Sequence, residues 1–187
     1  DALRRINKRL HESKAKKVIT GCLNCYKLLS RYIEGIEVVF ILDVLPAECF
    51  KNKWDGTAYL HHPCPSSRWK DIMNSAQGVF RHLQKSAEDV KANAPGFAEA
   101  LCCGNGGSLS STSPELADRF LDEIVGKTGG NTLVTYCAGC QNQFLKQGIK
   151  AVHLLECLSP KAPREKVPSP LAQWANRFLL AMTARIK

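Results

Sequence analysis

The sequence predicts an α/β fold, a mainly parallel sheet with flanking helices, and three observations carry that prediction. Short apolar runs of strand type alternate with stretches of helical spacing, the pattern of strands joined through helical crossovers. Each major cysteine cluster stands where a predicted strand ends. A strand–CxxC–helix–strand unit occurs twice, as in duplicated architecture.

In chain order, residues 2–13 have helical spacing through Leu3, Ile6 and Leu10 and run into the strand-type segment KVITG, which ends at Cys22. Residues 23–33 read as helix and VVFIL (38–42) as strand. Pro46 and Trp54-Asp55-Gly56 mark a looser, turn-prone stretch. TAYLHH (57–62) is a strand leading into Pro63-Cys64, and residues 68–93 suit a long amphipathic helix with Ile72, Val79, Leu83 and Val90 on one face. FAEAL (97–101) enters Cys102-Cys103-Gly104. Ser113 as N-cap and Pro114 in the first turn open a helix to about residue 126. NTLVTY (131–136) and AVHLLE (151–156) are the last strands. Four prolines give residues 159–170 a linker's composition, and a terminal helix over 171–186 carries Leu171, Trp174, Phe178 and Met182 along one side.

At 187 residues and 44% hydrophobic the chain can bury a core, and no apolar run approaches the ~18–20 residues of a membrane span. Nine cysteines with no signal-peptide stretch argue against a secreted disulfide scaffold and for a metal or redox domain in the cytoplasm. Asp1, rather than Met, points to an excised piece of a longer protein. The net charge of +9 is uneven: residues 1–17 hold seven Lys/Arg against two acids, and residues 159–187 hold six against one. Such ends suit an acidic partner subunit or peripheral contact with an anionic membrane surface as well as a solubilising role. No aromatic-rich basic stripe accompanies them, so nucleic acid is not an expected partner.

VITGCLNC (18–25) matches LVTYCAGC (133–140) at an offset of 115, and VFILDVL (39–45) matches VHLLECL (152–158) at an offset of 113. Projected back, the counterpart of Cys102-Cys103 falls about thirteen residues before Asp1. The expected organisation is therefore the second half of a first repeat over 1–50, a complete repeat over 51–158, and a Pro-rich linker with a terminal helix over 159–187.

The complete repeat holds Cys64, then Cys102-Cys103, then Cys137-x-x-Cys140. Strand ends of an open parallel sheet share one edge, so these five thiols should converge. A CxxC at a helix start lets two thiolates grip one centre beside the positive helix end. Gly104, Gly106 and Gly107 permit unusual backbone angles and bring N–H groups close to sulfur, which makes them candidate cofactor-binding positions. Spacing alone leaves three readings: an iron–sulfur cluster, a zinc site, or metal-free thiol–disulfide chemistry at Cys137 and Cys140. His61 and His62 read as strand-end residues, His153 as a satisfied core histidine, Cys49 and Cys157 as small buried hydrophobes, and the tail helix as a packing helix.

The string Cys64-x37-Cys102-Cys103-Gly104-x32-Cys137-x2-Cys140 resembles the CCG cysteine-rich domain found in heterodisulfide reductase and in related iron–sulfur oxidoreductase subunits. His61 and Pro63, Pro114, Leu116-Ala117, Thr135 and AVHLLE agree with it. The resemblance implies a Rossmann-like repeat in which Cys64, Cys102, Cys103, Cys137 and Cys140 hold a [4Fe–4S] cluster, possible as a non-cubane form, with zinc as the alternative in some members. Cys22 and Cys25 would belong to a second, incomplete site. The implied role is electron transfer with a flavoprotein or ferredoxin-type subunit, toward a disulfide or quinone acceptor, in the cytoplasm or peripherally at the inner membrane face. His62 and Pro65 depart from the family's usual Asp and His, so substrate identity does not carry over, and no catalytic residue is assigned.

Overall fold

A computed structural model describes residues 2–53, 57–84 and 100–183. The chain is mixed α/β. Helix α1 (Ala2–Glu12) leads to strand β1 (Lys17–Thr20), helix α2 (Leu23–Tyr32), strand β2 (Glu37–Phe40) and a single helical turn, α3 (Ile41–Val44). Strand β3 (Ala58–Pro63) passes directly into a 3-10 turn, Cys64–Arg68, and helix α4 (Lys70–Leu83). Then come β4 (Ala100–Leu101), the short helix α5 (Leu109–Thr112), α6 (Pro114–Thr128), β5 (Thr132–Thr135), α7 (Ala138–Lys146), β6 (Ala151–His153) and the tail helix α8 (Pro170–Thr183).

The strand pairings β1–β2, β3–β4, β3–β5 and β5–β6 are all parallel. β1 pairs with β2, and a second sheet runs in the order β4-β3-β5-β6. From β3 the chain goes outward to β4, then returns past β3 to β5 and β6. Loops therefore leave β3 and β5 in opposite directions, which opens a crevice at their C-terminal ends. Register places those ends within two residues of one another: Thr135 lies beside His61 and His153, and Leu101 beside Pro63.

The core joins both halves of the chain. Leu23, Phe40 and Leu42 from the first half are buried against Leu60, Val79, Phe80, Tyr136 and Leu154 from the second. Edge-to-face aromatic contacts cross the junction, from Trp69 to Tyr26 (centroids 5.3 Å), Tyr26 to Phe40 (6.2 Å), Phe40 to Tyr136 (6.3 Å) and Tyr136 to His62 (5.8 Å). On the other face of the sheet, Leu121 and Ile124 of α6 and Phe144 of α7 pack over Leu133 and Ala151.

Several boundaries differ from those the sequence predicts. The runs at 38–42 and 151–156 are not strands throughout. Each leaves β geometry at a matched position, with Phe40 (φ −86°, ψ 141°) and His153 (φ −87°, ψ 133°) capping a helical turn. An acidic residue follows three positions later in both, and in the second copy Glu156 reaches back to the His153 N–H. Apolar content misleads here because the turn residues Leu42 and Leu154 are as buried as strand residues. Helix α4 ends at Leu83, where the buried Gln84 turns extended (φ −75°, ψ 133°), and residues 85–93 of the predicted helix lie outside the described residues. Val90 and the 97–99 part of FAEAL lie outside the described residues, as do Trp54-Asp55-Gly56 and 184–186 of the tail helix. Ser113 does precede α6, but it caps through its carbonyl, which accepts from Ala117 N–H at 3.1 Å, with no side-chain cap. Cys157 is buried, whereas Cys49 is exposed rather than a buried hydrophobe.

The proline-rich segment is tied to the body. The Arg164 guanidinium pairs with Glu156 at 2.9 Å and donates to Gln141, and Asn52 Nδ2 donates to the Lys161 carbonyl at 3.1 Å. The tail helix beyond it is not a packing helix on this body: Leu171, Trp174, Phe178, Leu179, Leu180 and Met182 are all exposed.

Burial holds His61 down to about 3, with neighbouring His62 adding to it, and holds His62 and His153 down to about 4. All three are neutral in the fold at pH 7. Their folded values lie below the unfolded one of about 6.5, so stability is full above that pH and is lost as pH falls toward 4. We expect the urea midpoint to decline between pH 7 and 4, and His61→Met to flatten that slope, as measured by circular dichroism.

Candidate metal centre

The adjacent strand ends explain the site. Cys64 is the first residue after β3, Cys102 the first after β4, and Cys137 the N-cap of α7 two residues after β5. One cavity of about 520 Å³ is lined by Cys64, Cys102, Cys103, Cys137 and Cys140 together, so the structure brings all five sequence-predicted thiols to one place. Asn24, Pro65, Asn105, Gly106, Gly107 and Gly139 complete the wall, which among the described residues contains no carboxylate and no imidazole. Cys103 and Cys140 are buried, Cys102 and Cys137 partly covered, and Cys64 exposed at the rim.

The thiols form a connected set with divergent acidities. The Cys140 thiol bonded to Cys137, helped by the Gly139 and Cys140 N–H groups at the start of α7, holds Cys137 down to about 6 despite burial. A bond from the same Cys140 lowers Cys103, while acting as donor to both raises Cys140. Partial burial, then the neighbouring Cys102 and Cys103, push Cys64 up to about 11. The result is a thiolate at Cys137, the cap of α7, and protonated thiols at Cys140 and at Cys64 on the rim.

The glycines are not equivalent. A Cβ on Gly104 would lie 2.8 Å from the Ala117 carbonyl oxygen, and its φ of +77° favours glycine, so this position lets the CCG loop lie flush against the start of α6. Its N–H also points to the Cys102 sulfur at 3.4 Å. Gly107 has a φ of +64° with open space around it. Gly106 has neither a positive φ nor a close neighbour, so the unusual backbone angle expected there is absent. Asn105, which the sequence pattern alone does not single out, donates from Nδ2 to the Gly139 carbonyl at 3.3 Å and fastens the CCG loop to the CxxC turn. Its place inside a run of glycines is the available signal.

The paired imidazoles on β3, just before Cys64 in sequence, are fixed parts of the fold. His61 is 2% exposed and meets the Phe144 ring edge-on, and His62 Nδ1 shares a 2.8 Å hydrogen bond with Tyr136 Oη. His153 Nδ1 accepts from Leu155 N–H at 3.2 Å, the satisfied role expected of it.

Cys22 and Cys25 are not part of this cavity. They are exposed on the first copy of the motif, where Cys22 caps α2 and its sulfur accepts from Cys25 N–H at 3.4 Å. The backbone angles of Cys22 (φ −118°, ψ 118°) and Cys137 (φ −127°, ψ 114°) are nearly the same, so the two CxxC turns repeat in geometry as well as sequence. Between those two cysteines, Asn24 alone reaches the five-thiol cavity. Among the described residues, no group of three or more His, Cys, Asp or Glu side chains is drawn together as a single-ion site.

Two outcomes follow. In metal-free protein, alkylation of Cys137 should rise with pH through about 6 and be advanced at pH 7, whereas Cys64 stays largely unreacted; Cys140→Ala should move the Cys137 midpoint upward, as read by mass spectrometry of labelled peptides. Gly104→Ala should lower stability by roughly 2 kcal/mol or more, from combined strain and overlap, in urea unfolding.

Two comparisons with known proteins bear on this arrangement. The chain is 26% identical over 155 residues to a subunit of the dihydromethanophenazine:CoB–CoM heterodisulfide reductase of Methanosarcina barkeri (strain Fusaro / DSM 804), a match covering 72% of this chain. The chain spans 36% of the length of that curated relative. Residues 58–145, the segment from β3 into α7 that supplies all five thiols, match the CCG family of cysteine-rich domains.

Proposed function

We propose that this chain is an iron–sulfur electron-transfer unit of an oxidoreductase complex. The observation that carries the reading is one cavity walled by five thiols from three strand ends, with no carboxylate or imidazole among its described lining residues. Such a soft thiol donor set fits iron–sulfur chemistry. Cys64, Cys102, Cys103, Cys137 and Cys140 would hold a [4Fe–4S] cluster, which when bound supplies a one-electron carrier. Five thiols spread round about 520 Å³ fit several metal ions better than one tetrahedral ion.

The chain's own residues support that role. Cys137 is ready as thiolate at neutral pH, and Cys140 and Cys64, whose thiols are pushed up, must lose protons as they bind. The N–H groups of Gly104, Gly139 and Cys140 face sulfur and would tune the reduction potential, as hydrogen bonds to thiolate do. Exposed Cys64 and the Asn105–Gly107 rim leave an approach for a redox partner.

The curated relative is by its name part of a heterodisulfide reductase, which favours a complex in which a flavoprotein or ferredoxin-type subunit exchanges electrons with this domain. A disulfide or a quinone is the proposed acceptor. Cys22 and Cys25 would serve a second centre completed by ligands outside this sequence. Among the described residues, no helix is long and apolar enough to cross a membrane.

Anaerobic reconstitution with iron, sulfide and zinc analysis and electron paramagnetic resonance tests the reading. About four irons and four sulfides per chain are expected, falling sharply in Cys103→Ala. About one zinc with no sulfide would instead assign a structural zinc module and overturn electron transfer.

A further inference from the structure

The tail helix presents the largest uncovered apolar surface among the described residues. Leu171 is 84% exposed, Trp174 69%, Met182 66%, and Phe178 and Leu179 57% each, on a helix of fourteen residues. At about 100° per residue these five fall on one stripe, with Gln173, Asn176, Arg177 and the exposed Leu180 on the opposite side. A stripe of this size left open to water marks a binding surface.

Charge selects the occupant. From Lys166 to the end of the sequence there are four basic residues, Lys166, Arg177, Arg185 and Lys187, and no acid. The helix has no acidic residue in its first turn and none elsewhere. A second copy of the chain would set this all-basic segment against itself. A bilayer with anionic headgroups takes both features at once, accepting Trp, Phe and Leu side chains at the acyl boundary and cations at the headgroups. The anchoring of the preceding segment through Arg164 and Lys161 fixes where the helix leaves the body.

We propose that α8 is an interfacial helix that lays its Leu171–Trp174–Phe178–Met182 stripe on an anionic membrane surface. This is independent of whether the five thiols hold a cluster.

The test is co-flotation of the full chain with vesicles of phosphatidylcholine alone or mixed with about one-third phosphatidylglycerol, beside sedimentation equilibrium without lipid. Binding is expected only to the anionic vesicles, weakening as salt rises, and falling about tenfold or more in Trp174→Ser/Phe178→Ser. Because these side chains are exposed, the variant should keep the wild-type urea midpoint. Absence of flotation, equal flotation with both vesicle types, or a salt-insensitive dimer dispersed by the double variant would each overturn the proposal, the last assigning the stripe to a second copy.

Discussion

The shared edge at which three parallel strands end is the constraint on which everything else rests. β3, β4 and β5 share register, so residues 64, 102 and 137, far apart in sequence, emerge at one edge. These thiols follow the strand ends by one or two residues, so it is the pairing of the strands that sets where each thiol emerges. The crossing of connections at β3 and β5 then clears that edge of backbone. The five-thiol cavity is a product of strand pairing as much as of the cysteines themselves.

The CxxC turn shows how one local device recurs in two settings. Cys22 and Cys137 cap helices with nearly equal backbone angles, yet Cys22 and Cys25 are exposed while Cys137 and Cys140 are drawn into a network with Cys103. In the second copy β3 and β4 deliver further thiols beside the turn. The first copy contributes in another way, lending Asn24 to its neighbour's wall and packing Tyr26 and Phe40 into the shared core. The aromatic chain from Trp69 to His62 makes the two halves one hydrophobic unit.

Much of this is legible in the sequence because it rests on short-range pattern. Strands β1, β3 and β5, helices α2 and α6, and the convergence of five cysteines follow from periodicity, turn residues and the rule that ligands gather at strand ends. The failures have physical causes. Apolar runs that cross from strand into a buried turn look like strand throughout, as at Phe40 and His153. The end of α4 at Gln84 has no Gly or Pro to announce it. Asn24 and Asn105 act through contacts between loops brought together only by the fold, and the exposed face of α8 cannot be told from a packing face until the rest of the chain is seen not to cover it.

The two copies of the repeat are offset by 115 residues at the CxxC but by 113 at the following strand. The two-residue difference falls between Cys25 and Val39 on one side and Cys140 and Val152 on the other, within the later helix and the turn back to the sheet. That turn lies at the opposite edge from the thiols. Length has therefore been free to drift at one rim of the sheet while the ligand-bearing turn kept its geometry. Insertions engineered for labels or fusion partners belong at that distal rim, in the turns at 33–36 and 147–150, where the fold has already accommodated a change of length.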